Sequence, residues 1–168
     1  MTDIANKASV SRQAVYLHFP TRADLLIAAN RFLDEVNDID ARLEKSRKSQ
    51  SGLERLDAFI EVWCNYIPEI YGMAKAQLAM KDHDEEVDLA WRDRMEAVRQ
   101  GCEAAVLALK KDNLLSADLT TKQATDLLWT HLSVRNWEQL RIERKWSQSK
   151  YLKTMKSSAK RMLTKIEL

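Results

Sequence analysis

The sequence predicts an all-α protein, and three observations point there. Only three glycines and two prolines interrupt 168 residues, too few breakers for a sheet protein with its many turns. Apolar residues recur at three- and four-residue intervals along most of the chain, the period that gathers them on one side of a helix. Residues that cap helices, Ser11, Thr21, Ser51, Thr120 and Ser147 among them, stand just ahead of these periodic stretches. With 45% hydrophobic and 31% charged residues, the chain suits one helical core or a small head on a larger body.

The N-terminal stretch reads as two short helices joined by a tight turn. Ile4, Ala5 and Ala8 recur at helical spacing on the first, Val15 and Phe19 on the second, and small Ala5 and Ala8 let the two cross closely. This is the pattern of a helix-turn-helix. Ser11 is placed to cap the second helix through its side-chain oxygen, leaving free backbone N–H groups in the following turn that attract phosphate.

Ile4-Ala5, Val10-Ser11, Tyr16-Leu17-His18-Phe19 and Leu25-Leu26 together resemble the TetR family of bacterial transcriptional regulators. That resemblance implies an all-α fold with a helix-turn-helix DNA-binding head, residues 1–47 with the connecting helix, on a helical effector-binding and dimerisation body, residues 48–168. It also implies roles for particular residues. Arg12 and Gln13 open the recognition helix, where a guanidinium can grip guanine O6 and N7 and a carboxamide can pair with adenine. Ala14 and Leu17 face the groove and can touch a thymine methyl. Tyr16 and His18 match the family's backbone clamp, completed by Ser11, Thr21 and Arg22 on phosphate oxygens.

Two departures from the family pattern stand out. Ser9 occupies a turn position where the family usually has Gly, at a strain of about 1 kcal/mol if its φ is positive. The family also places a further helix before the Ile-Ala helix, whereas only Met1, Thr2 and Asp3 precede Ile4. The expectation is a head short of its first helix, with Ile4, Ala8 and Phe19 uncovered on one side. Either the natural start lies upstream or DNA binding is impaired and the chain acts as an effector-binding dimer.

Beyond the head, Thr21 and Asp24 suit a helix start, and Leu25, Leu26, Ala29, Phe32, Leu33, Val36, Ile39 and Leu43 predict one long connecting helix from Arg22 to Leu43. The polar run 44–50 ends it. Ser51 with Glu54 forms a capping box for a helix bearing Leu53, Leu56, Phe59, Ile60, Trp63 and Ile67. Pro68 is expected to stop or kink it, with a shorter helix from about Glu69 to Met80 following and an acidic, solvated linker from Asp82 to Glu86 after that. A long amphipathic helix runs from Glu85 to Lys111. Thr120 with Gln123 opens another through Leu127, Leu128, Leu132 and Leu140 toward Arg144. A last helix after Ser147 gathers Tyr151, Leu152, Met155, Ala159, Met162, Leu163 and Ile166 on one side.

The last two helices resemble the pair through which TetR-type proteins dimerise. So wide an apolar side on a terminal helix has little left to pack against within one chain, so a twofold homodimer reading a palindromic double-stranded DNA operator is expected. The resemblance also implies a cavity for a small, mainly apolar effector among the central helices. Its candidate lining is Trp63, Tyr66, Ile67, Tyr71, Met95, Cys102 and Trp129, although such stripes are usually plain core. Effector binding would displace the connecting helix and swing the heads.

Composition narrows the remaining classes. A net charge of +2 leaves attraction to nucleic acid to a local patch. The basic run Lys150, Lys153, Lys156, Lys160, Arg161 and Lys165 reads as a solvated face. Cys64 and Cys102 lack metal-ligand spacing and read as reduced, buried thiols. No cofactor or metal is expected. No nucleophile elbow or phosphate-cradling glycine loop argues for an enzyme, and the acidic run lacks an EF-hand's spacing. No signal peptide or bilayer-length apolar run is visible, so a cytoplasmic protein without membrane partners is expected.

Overall fold

The computed structural model describes residues 1–165, so Ile166 lies outside the described residues. Its helices are α1 (Thr2–Lys7), α2 (Arg12–His18), α3 (Arg22–Val36), α4 (Ile39–Arg47), α5 (Gly52–Met80), α6 (Glu85–Lys111), α7 (Thr121–His131), α8 (Val134–Trp137) and α9 (Gln148–Leu163). A π-helical turn, Glu138–Glu143, extends α8. The protein is all-α: the one sheet-like contact among the described residues is an isolated bridge between Leu115 and Thr164.

The long helices α5 and α6 form the central pair. Helices α4 and α9 pack on α5, α7 on α6, and α3 lies along α6. Leu56, Ile60, Tyr66, Ile67, Val106, Leu109, Leu128, Tyr151 and Leu163 are fully enclosed between them. Each Leu or Ile so buried contributes roughly 1.5–3 kcal/mol. The start of α5 presses on the end of α6 because Gly52 has no side chain. A Cβ there would lie 2.6 Å from the Leu109 nitrogen, and the Gly52 N–H donates to Asp112 at 2.6 Å.

The capping signals operate as the sequence implies. Thr21 with Asp24 and Thr120 with Gln123 form reciprocal boxes, and Ser11 and Ser147 each accept from the third residue of their helix. Each such cap stabilises by about 1 kcal/mol. Only half of the box expected at Ser51 forms. Ser51 accepts from the Glu54 N–H, but Glu54 takes the N–H of Gln50 instead of Ser51.

Helix boundaries differ from the periodic pattern in three places. The expected helix from Arg22 to Leu43 is two helices, broken where Asp38 adopts a left-handed backbone with φ 49°. Asn37 turns its side chain back to the Leu33 carbonyl, and Asn and Asp are the residues that tolerate such a break best. Phe32 and Val36 of α3, apolar at core spacing, are 62% and 60% exposed. Pro68 does not end its helix, since α5 continues through it to Met80. The helix expected from Thr120 to Arg144 stops at His131, and Ser133 then caps α8 by accepting from the Asn136 N–H.

Two further expectations are revised by packing. Tyr151, Met155, Ala159 and Leu163 of α9 are buried within the chain's own core, so much of its apolar side is taken up within the chain, while Leu152 and Met162 stay partly exposed. Its basic side is partly engaged, because Lys156 pairs with Glu61 and Lys160 with Asp57 on α5.

Candidate nucleic-acid interface and interior cavities

In the head, α2 turns Val15 inward and presents Arg12, Gln13, Tyr16, Leu17 and His18 to solvent, Leu17 being 81% exposed. Ala14 is half-buried. Ser11 accepts from the Ala14 N–H at 3.0 Å, fixing the start of the helix. The Arg12 guanidinium lies 5.3 Å from the centre of the Tyr16 ring, a cation–π contact worth about 0.5–1 kcal/mol at an exposed site that limits the wandering of Arg12. Ser9 has φ 55°, so the turn does need the left-handed conformation that glycine adopts without cost.

The two remaining clamp candidates are occupied within the chain. Thr21 is committed to its box with Asp24. Arg22 is ion-paired to Asp84 and, at 3.3 Å, to Glu86, while its backbone N–H donates to Glu86 at 2.9 Å. Burial at this junction works against the charge on Asp84, but the Arg22 hydrogen bond and the Val87 N–H outweigh it and hold the carboxyl below its ordinary range. The acidic run is therefore a tether for the start of α3, and Asp84 also caps α6, where a solvated linker was expected.

Two of the cavities in the body meet at Trp63. Its indole N–H donates to the Leu132 carbonyl at 2.7 Å, and the ring borders both spaces. The first, about 250 Å³, sits under α3 and α4 and is bounded by Asp34, Ile39, Leu43, Phe59, Tyr66 and Arg94 among others. The second, about 260 Å³, lies between α5, α6 and α7, with Leu78, Trp91, Met95, Trp129 and Val134 in its wall. Trp129 is pinned there by a 3.2 Å hydrogen bond to the Met95 carbonyl.

Of the residues expected to line an effector pocket, Trp63 and Tyr66 border the first cavity and Trp63, Met95 and Trp129 the second. Ile67, Tyr71 and Cys102 border neither. Ile67 is enclosed in the core. Tyr71 rests against Trp137, ring centres 4.9 Å apart, and donates to Glu138. Cys102 is buried, as is Cys64, and burial pushes both thiols up to about 12. Burial thus disfavours the thiolate, the reactive form, at both.

The polar group of the first cavity escapes sequence reasoning. Tyr66 donates to Asp34 at 2.6 Å and Arg94 donates to the other oxygen of Asp34 at 2.5 Å. Burial and the hydrogen bond to Asp34 push the Tyr66 phenol up to about 12, so it remains a donor at neutral pH. Asp34 and Arg94 stand 60 positions apart, and no local pattern in the sequence marks them as a pair.

Fold and head together define a class: a helix-turn-helix protein whose reading head is carried on a larger helical body. Residues 1–29 match the family model of bacterial regulatory proteins, tetR family. The fold is similar to that of a TetR transcription regulator from Haloarcula marismortui, at 18% identity and TM-score 0.64 over 94% of this chain and 81% of that one. It is also similar to a proposed TetR-family transcriptional regulator from Rhodococcus sp., at 18% identity and TM-score 0.70 over 96% and 86% of the two chains. No curated protein matches the chain. The head, residues 1–29, is thus similar to that of the tetR family of bacterial regulatory proteins, and the chain as a whole is similar in fold to TetR regulators. Among the described residues no helix is long and apolar enough to cross a membrane.

Proposed function

We propose that this regulator is a repressor that reads a palindromic operator as a twofold homodimer and leaves it when a small molecule enters the body. One observation carries the reading: α3 begins at the head and ends in the wall of a cavity. Its first residue, Arg22, follows the recognition helix, and Asp34 near its end borders the first cavity. Twelve residues of helix span about 18 Å, a rigid rod from cavity to head. A ligand that favours another position of α3 therefore favours another position of α2.

Arg12 and Gln13 are the proposed base readers, with Ala14 and Leu17 against thymine methyls and Ser11, Tyr16 and His18 on phosphates. Two heads roughly 34–36 Å apart would reach successive major grooves. The segment 121–143 with α9 is the proposed dimer surface, supported by exposed Leu127 and Ile142.

Fluorescence anisotropy with DNA flanking the chain's own gene tests the reading. Tight, salt-sensitive binding abolished by Arg12→Ala with Tyr16→Ala is expected, together with a dimer in light scattering. Binding no stronger than to unrelated DNA would overturn the operator role and leave an effector-binding dimer.

A further inference from the structure

We propose that the cavity under α3 and α4 binds a small apolar carboxylate on Arg94, and that this ligand competes with Asp34. The inference deepens the effector-released reading above and rests on it.

Arg94 supplies the first argument. Its side chain is 8% exposed, it borders the cavity, its Nη1 donates to Asp34, and its guanidinium lies 5.4 Å from the centre of the Tyr66 ring. Its Nε is buried and has no hydrogen-bond partner. A buried guanidinium with a donor unused is costly, and the group that best meets its planar fork is a second carboxylate.

The walls supply the second. Ile39, Leu43, Phe59, Trp63 and Val98 make most of the cavity apolar, and its volume of about 250 Å³ falls just below the usual range for drug-sized ligands. It has room for a molecule the size of benzoate or octanoate. The other cation in the wall, Arg47, is already paired with Asp40 at 2.6 Å. An entering anion is therefore directed to Arg94.

Asp34 supplies the third. It is the carboxylate that now holds Arg94, and it is carried on α3. A ligand carboxylate arriving at the same guanidinium places like charge beside Asp34 and offers Arg94 and the Tyr66 hydroxyl an alternative acceptor. Asp34 is displaced, and the end of α3 loses its link to Tyr66 of α5 and Arg94 of α6. Asp34 thus acts as a built-in substitute for the ligand.

The test uses the full chain without DNA, with benzoate and octanoate as probes and benzamide and octanamide as their neutral counterparts, read by calorimetry and ligand-observed NMR. The acids are expected to bind about tenfold or more tightly than the amides. Arg94→Gln should erase that preference. Asp34→Asn should increase acid affinity severalfold by removing the internal competitor, an outcome that does not depend on the Arg94 variant folding. Equal binding of acids and amides, no binding of any of the four at millimolar concentration, or unchanged acid affinity in Asp34→Asn overturns the proposal. Operator release is measured separately. If other compounds release DNA while the acids do not bind, the site falls and the effector reading stands. Acids that bind as described without weakening DNA binding uphold the site and overturn its coupling to the head.

Discussion

Gln148 at the start of α9 donates from Nε2 to the Cys64 carbonyl at 2.9 Å, the carbonyl that Pro68, lacking an N–H, leaves without its helical partner four residues on. The same amide nitrogen reaches Asn65 Oδ1 at 3.1 Å, and its oxygen accepts from Arg141 at 3.0 Å. Helix α5 therefore passes through a proline because α9 satisfies the carbonyl exposed there. Gln148→Ala should lower stability by about 1–3 kcal/mol, the cost of a buried carbonyl left unpaired. Urea denaturation measures it, and in a Pro68→Ala background the loss should shrink because the helix regains its own donor.

Ser9 holds a left-handed backbone in the head turn. Ser9→Gly should relieve about 1 kcal/mol of local strain. Slower amide exchange in α1 and α2, with the melting of the body unchanged, is the expected result.

Arg12 and Arg22 are separated by what each one touches. Arg12 is exposed on α2 with its guanidinium over the Tyr16 ring, whereas Arg22 is paired with Asp84 and Glu86. Arg12→Ala should weaken DNA binding and reduce the slope of log affinity against log salt by about 1 if Arg12 meets a phosphate, and relax base preference if it meets guanine. Arg22→Ala should leave the slope unchanged and instead speed amide exchange in α2 and α3, by releasing the tether. A drop in salt slope on removing Arg22 would return it to the phosphate clamp.

His131 predicts a pH dependence. Its Nε2 lies 2.8 Å from the Ser158 hydroxyl, and burial pushes its pKa below the ordinary value. With the folded pKa below the unfolded one, the unfolded chain binds more protons as the pH falls. The stability tied to neutral His131 is complete above the unfolded pKa of about 6.5 and is lost as pH drops through the lower folded value. Glu61, held low chiefly by its hydrogen bond from Lys156, titrates outside this window, below its ordinary 4.5. The urea midpoint should therefore decline from pH 7 to about 5, and His131→Gln should flatten that decline.

Much of the architecture is local and was legible in residue order. The capping serines and threonines, the 3.6-residue period of α6 from Glu85 to Lys111, and the pattern from Ile4 to Leu26 that marks the head are all set by residues near one another in the chain. A side-chain oxygen and the N–H it caps are neighbours in the chain, so their meeting needs no knowledge of the rest of the fold.

Tertiary structure decided what depends on distant partners. Pro68 looks like a terminator until Gln148, eighty residues on, meets Cys64. Only the fold brings Asp84 and Glu86 to Arg22, and only the fold brings Tyr66 and Arg94 to Asp34. Ile67, Tyr71 and Cys102 have the same apolar character as Trp63 and Met95, yet only packing sorts core from cavity wall. Helical period records which side of a helix is apolar, but not what that side faces, because the neighbour is chosen by the fold as a whole.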